Sequence, residues 1–439
     1  MHYIFDAPTF TSKFINNKKS GIMKALGMLL LTALLTGCLS NKIDDLITDA
    51  EDETITFVEK VPSDFNWSTI TSKQINVTFM RNNVLSHDLD NSIIELYNDD
   101  NVLIDALTIL DGKANFNVRI PANSKTLKLV TLATISFKEV GMSDTDIVFE
   151  VPEVNAINFS KTDTDNDGLC DQFDVDPNNP ELTIRIERQI ETSTKSAARA
   201  NSSVYSYTIF EDLWPSKGDY DFNDMVVKTT FYWVRGRSNY IQEISGICSV
   251  EWIGAGMGIG LGYELFSSFG TELGYEDDII TTIEGDAILD EMVTNGIILF
   301  KKVQDVANKQ LEFTISLKDK EIKEFAFVPY LFRTDNYSQQ VRPFGAPPTE
   351  GQDMSLFGTK NDASPYQWTR KNGSKFKYPL SGNQAFYRSE ENHPWGIEFM
   401  AKSFKPSPER TSITEVYPQF VNWAESGGKQ YTDWYDYPN

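Results

Sequence analysis

Apolar residues recur at every second position in short runs along much of the chain. Ile75, Val77 and Phe79 form one run, and Phe116, Val118 and Ile120 another. Leu127 with Leu129, Ile184 with Ile186, and Leu311, Phe313, Ile315 and Leu317 repeat the pattern. A period of two puts alternate side chains on one face of an extended backbone, so each run predicts a strand with one buried face. Turn-forming clusters such as Asn98-Asp-Asp-Asn101 and Asp111-Gly112 separate the runs, as in the hairpins of sandwiches. No long stretch carries the helical period. The expected fold is all-β: two β-sandwich-like domains at residues 52–159 and 181–439, joined by a linker at 160–180. Aromatic residues make up 12% of the chain, enough large side chains for two such cores.

The amino terminus departs from this pattern. Residues 25–36 are almost continuously apolar behind Lys18, Lys19 and Lys24. That run is too short to span a bilayer comfortably and fits the hydrophobic part of a signal peptide. It ends in Leu35-Thr36-Gly37-Cys38, which resembles the bacterial lipobox. The resemblance implies a lipoprotein signal peptide at 1–37, read from Met1 or Met23, and acylation of Cys38 as the membrane anchor. Leu39 after that cysteine implies the outer membrane, on its periplasmic or cell-surface side. Residues 38–51 are polar and acidic, the composition of a flexible tether.

The linker contains Asp163-Thr-Asp-Asn-Asp-Gly-Leu-Cys-Asp-Gln-Phe-Asp174. Counting from Asp163, candidate oxygen ligands fall at Asp163, Asp165, Asp167, the Leu169 carbonyl, Asp171 and Asp174, with Gly168 where a calcium loop turns sharply. Five carboxylates this close repel one another unless a hard cation lies among them. Flanking helices of an EF-hand are not expected, because Val151–Ser160 reads as extended and Val175–Pro180 as turns. The stretch resembles a thrombospondin type-3 repeat, which implies a calcium-stiffened connector; Asp174 and Asp176 begin a second, incomplete loop. Asp at the last position, in place of the longer Glu, shortens the reach of that ligand.

A second acidic cluster follows in Phe210-Glu-Asp-Leu-Trp-Pro-Ser-Lys-Gly-Asp-Tyr-Asp-Phe-Asn-Asp-Met-Val-Val227. In an extended backbone Asp219, Asp221 and Asn223 share a face, and a reversal near Pro215–Gly218 brings up Glu211, Asp212 and Asp224. Those six residues suit a second Ca²⁺ site; a network of Asx turns capping strand ends is the other reading. The stretch resembles the signature of the LruC-domain family of bacterial lipoproteins, together with Leu356–Asp362, His393–Ile397 and Tyr417–Gly428. That resemblance implies an envelope lipoprotein domain and supplies no catalytic residues. Val341–Thr349 departs from the family's usual run. The segment Ile94–Pro121 loosely resembles transthyretin-like or immunoglobulin-like accessory modules.

Charge and the remaining motifs narrow the function classes. A formal charge of −23 disfavours nucleic acid as a partner. Cys170 and Cys248, the cysteines other than Cys38, fit either one disulfide or two free thiols. Gly254-Ala-Gly-Met-Gly-Ile-Gly-Leu-Gly262 lacks the following helix and βαβ context of a dinucleotide loop, so its glycines are read as close-packing positions in strands. His87 and His393 sit in no zinc spacing, and pairing Cys248 with His393 has no local support. Trp368, Trp395, Trp423, Trp434, Tyr431, Tyr435 and Tyr437 stack on sugars only if exposed. The expected protein is a non-enzymatic, Ca²⁺-binding outer-membrane lipoprotein acting in adhesion or in binding a glycan or protein ligand. A polysaccharide hydrolase using two carboxylates and a purely structural envelope protein are the alternatives.

Overall fold

The computed structural model describes residues 57–153, 159–186, 205–268, 272–276, 278–306, 309–371 and 374–439. The expected leader, Cys38 and the tether lie outside the described residues. Among the described residues, no helix is long and apolar enough to cross a membrane. The fold is all-β.

The first sandwich contains β1 (Ile70–Arg81), β2 (Val84–Leu85), β3 (Ile93–Asn98), β4 (Leu103–Thr108), β5 (Lys113–Pro121), β6 (Thr126–Thr131), β7 (Ser136–Gly141) and β8 (Asp146–Glu150). One sheet runs β2-β1-β5 with β8 beside β1, and the other runs β4-β3-β6-β7. The alternating residues of β1 pair with those of β5, Ile75 opposite Phe116 and Val77 opposite Ala114, and all four are buried between the sheets. Asp111 and Gly112 both have positive φ, 51° and 66°, as a two-residue hairpin turn requires. A Cβ on Gly112 would lie 2.8 Å from the Ser86 carbonyl oxygen, so the turn needs glycine.

The larger region contains β9 (Ile184–Ile186), β10 (Tyr205–Phe210), β11 (Met225–Arg235), β12 (Ile241–Trp252), β13 (Ile259–Phe266), β14 (Glu272–Gly274), β15 (Thr282–Gly285), β16 (Ile288–Leu289), β17 (Gly296–Phe300), β18 (Gln310–Ser316), β19 (Ala326–Arg333), β20 (Gln340–Val341), β21 (Lys375–Lys377) and β22 (Gly396–Ala401). One sheet runs β15-β18-β12-β11-β10-β22 with β9 beside β11, and another runs β16-β17-β13-β19-β20. Two short helices, α1 (Ile413–Val416) and α2 (Pro418–Glu425), follow the last strand. On β13, Gly260 and Gly262 leave room for the Phe332 and Tyr330 rings; a Cβ at either would come within 2.2 Å of ring carbon.

The boundary of the first domain differs from the expected residue 52. Phe57, Val58, Phe65 and Trp67 precede β1 but belong to the core of the larger region. Phe57 stacks on Tyr220 with centroids 4.1 Å apart, and the Trp67 indole donates to the Asn392 carbonyl at 2.7 Å. The segment is apolar because it fills a groove in the other region, a partnership that local alternation does not reveal.

The acidic connector is also not the sole join between the regions. Asp105 of β4 and Arg235 of β11 form an ion pair at 2.9 Å, both about 5% exposed or less. Arg119 of β5 meets Glu398 of β22 at 2.9 Å. The Asn239 side-chain amide bonds both the N–H and the carbonyl of Thr108. Leu169 of the connector packs with Ile93, Ala106, Ile184 and Ile186 in a small core along the same seam. The connector is thus one edge of a clamped interface rather than an isolated hinge.

Candidate metal centres

In the 163–174 loop each aspartate that faces inward spends one oxygen on the backbone. Asp163 Oδ2 accepts from the Gly168 N–H, Asp165 Oδ1 from Asp167, Asp167 Oδ1 from Leu169 and Asp174 Oδ1 from Asp176. The opposite oxygens, Asp163 Oδ1, Asp165 Oδ2, Asp167 Oδ2 and Asp174 Oδ2, are buried and receive no donor. Ligand atoms of Asp163, Asp165 and Asp167 lie within 4.8 Å of one another. Gly168 turns the chain at φ +99°, while Leu169 anchors the loop in the seam and leaves its carbonyl as the loop's backbone ligand candidate.

Burial, and then the neighbouring carboxylates, push the Asp167 pKa up to about 7 and that of Asp174 up to about 6. Buried carboxylate oxygens without donors carry a large desolvation cost, which a cation at their focus removes. Asp171 has different partners from the other loop aspartates. Its two oxygens accept from the Thr164 N–H and hydroxyl, each at 2.7 Å, so it caps the loop.

The second cluster is assembled from three parts of the larger region. β10 delivers Glu211 and Asp212 at its end, where the Glu211 N–H donates to the Trp395 carbonyl. The entry to β11 supplies Asp219, Asp221, Asn223 and Asp224. Its backbone is not extended as expected: Tyr220 and Phe222 have φ of 58° and 52° and send their rings into the core. Left-handed residues coil the chain so that Asp219 and Asp221 face Glu211, with ligand atoms of the three within 4.8 Å. Bulky residues resist this conformation, and here the burial of both rings offsets the cost.

Glycines open the space for these oxygens. A Cβ on Gly218 would fall 1.8 Å from Glu211 Oε2, and one on Gly254 would fall 2.0 Å from Asn223 Oδ1. Glu211 Oε1 accepts from the Phe222 N–H, and Asp221 from the N–H groups of Asn223 and Arg410. The Asn223 amide donates to the Ser407 carbonyl. Asx-turn bonding therefore exists, but it does not exhaust the acceptors: Glu211 Oε2, Asp212 Oδ2 and Asn223 Oδ1 remain buried without a donor. Burial is the first cause that raises the pKa of Glu211 and of Asp212; it also pushes Asp221 up to about 6 and Asp224 up to about 8. The 407–410 segment closes this centre and was not legible in sequence, being nearly two hundred residues away along the chain.

A third group, His87, Asp90 and Asp111, is held by local bonds. Asp90 accepts from the Gly112 N–H and pairs with His87.

The other candidates occupy ordinary structural positions. Cys170 and Cys248 are free and buried. The Cys248 sulfur accepts from the Thr229 hydroxyl, whereas His393 bonds the Val58 carbonyl and the Tyr220 hydroxyl. Trp395, Trp423, Trp434 and Tyr435 are core residues and Trp368 is half-buried; Tyr431 and Tyr437 are exposed. A cavity of about 80 Å³ lies in the seam, bordered by Asp105, Arg119, Trp233 and Phe325. It is smaller than the roughly 150 Å³ that admits benzene, so it does not accommodate a sugar ring.

Residues 239–435 match the family model of a domain of unknown function, DUF4842. The Glu211–Val226 signature that resembles the LruC-domain family precedes the matched span. The crystal structure of a Bacteroides ovatus protein described as a lipoprotein is similar at a TM-score of 0.45 and 13% identity, covering 80% of this chain and 98% of that one. No curated protein matches the chain.

Proposed function

We propose that this protein is a calcium-loaded, lipid-anchored binding protein of the bacterial outer envelope, non-enzymatic, acting in adhesion or capture of a glycan or protein ligand. The observation that carries the calcium reading is the set of buried side-chain oxygens without donors at two acidic centres. All-oxygen ligand sets select hard cations, and variable loop geometry favours Ca²⁺ over the smaller Mg²⁺. The lipobox ending in Cys38 supports the anchor. Because the carboxylates point into the fold, the ions act on stability and on the geometry of the interface.

Equilibrium dialysis against about 1 mM calcium, a level that fills sites of extracellular type, followed by elemental analysis, tests the reading. Retained calcium is expected, with part lost in Asp165→Ala/Asp167→Ala and part in Glu211→Gln. Protein that retains no calcium refutes it. Glycan-array binding without turnover supports the adhesive role, and turnover abolished by one carboxylate change replaces it with the hydrolase.

A further inference from the structure

The second centre carries more negative charge than one divalent ion balances. Asp219, Asp221 and Asp224 act on Glu211, and Asp212, Asp219 and Asp221 act on Asp224. Glu211, Asp212 and Asp221 are each no more than 4% exposed. Arg333, paired with Asp335 at 2.7 Å, also acts on Asp212. One Ca²⁺ among five ionised carboxylates would leave a net charge of −3, only partly offset by Arg333, where little water screens it. In the 163–174 loop, by contrast, Asp167 is the one fully buried member of the four inward-facing aspartates.

Geometry divides the ligands as well. Glu211 and Asp212 follow β10, where the chain bends away from the strand. Glu211 joins Asp219 and Asp221 in a group within 4.8 Å. Asp212 instead faces Asp224: its N–H donates to Asp224 Oδ2 at 2.7 Å, and its own Oδ2 is buried without a donor. Asp224 is the strongest charge acting on Glu211, and Asp212 the strongest acting on Asp224. Asp224 therefore stands between two foci of acceptor oxygens.

We infer that this centre holds a pair of calcium ions, one among Glu211, Asp219 and Asp221, the other between Asp212 and Asp224, with Asp224 as the carboxylate shared between them. The inference rests on the calcium reading proposed above. Two ions reduce the net charge of the five carboxylates to −1, and Asn223 Oδ1 adds a neutral acceptor at the same centre. The paired ions tie the end of β10 to the start of β11, and Asp221 links them to the 407–410 segment that leads into α1.

Native mass spectrometry of the full chain, dialysed into calcium, reads the stoichiometry directly. Three ions per chain are expected: one in the 163–174 loop and two here. Asp212→Asn should release one of them, and Asp165→Ala/Asp167→Ala a different one, with the losses additive. Two ions in the unaltered protein overturn the pair while leaving the calcium reading intact, as does an unchanged count in a folded Asp212→Asn. No bound calcium overturns both. Should Asp212→Asn fail to fold, the count in the unaltered protein still decides.

Discussion

With calcium bound as proposed, its chelation would leave Asp163, Asp165, Asp167 and Asp174 facing one another around a buried focus, and the consequence would be a reversal in how pH affects stability. The pKa of Asp167 stands at about 7 and that of Asp174 at about 6, both above the ordinary value near 4 that the unfolded chain restores. A carboxyl raised in the folded state binds its proton more tightly there. Its contribution is therefore fully present below about pH 4 and is lost as pH climbs through about 7. Asp221, at about 6, and Asp224, at about 8, act in the same direction. On a wholly desolvated group the Asp167 shift would correspond to about 4 kcal/mol. The other three loop aspartates are half-exposed, and solvent screening brings the expected loss for the loop to about 1–2 kcal/mol.

Calcium at the proposed sites would act with the opposite sign, competing with protons for the same oxygens; at a free concentration one hundred times Kd each occupied site would add about 2.7 kcal/mol. Urea unfolding followed by tryptophan fluorescence, at about pH 5 and about pH 7.5, with calcium or with EDTA, separates the cases. The chelated protein should be more stable at the lower pH and the calcium-loaded protein at the higher. Asp165→Ala/Asp167→Ala should shrink the gap between the calcium and EDTA curves by the loop's share. Curves that superimpose with and without EDTA at both pH values would refute the reasoning.

Two further predictions concern the packing between the regions. Arg235→Ala leaves Asp105 buried and unpaired at the seam, so stability should fall by about 3–5 kcal/mol; a urea midpoint unchanged by this substitution would mean that the interface is not formed in solution. Trp67→Ala removes a ring that is 1% exposed and packs on Trp423 and Phe420, at a cost of about 3–5 kcal/mol. Hydrogen exchange should then rise around α2 rather than in β1 and β5, and the converse pattern would reassign the segment to the first sandwich.

The strands were readable because alternation is a local property: Ile75, Val77 and Phe79 are neighbours on one face whatever else the chain does, and β1 buries all three. The clustering of the loop aspartates was readable for the same reason, since they lie within twelve residues and Gly168 sets the turn between them. The bonds that Asp171 accepts from Thr164 were not visible in that spacing. The second centre was legible as acidic residues that a chain reversal would bring together, and Glu211, Asp219 and Asp221 do converge. Its alternation suggested one extended face, whereas packing of Tyr220 and Phe222 into the core coils the backbone and turns Asp219 and Asp221 toward Glu211. Local sequence thus determined which side chains are acidic, apolar or turn-forming. Tertiary structure alone decided that Phe57–Trp67 completes a distant core, that Asp105 finds Arg235, and that the 407–410 segment closes over Asp221, because each depends on surfaces buried only when remote parts of the chain meet.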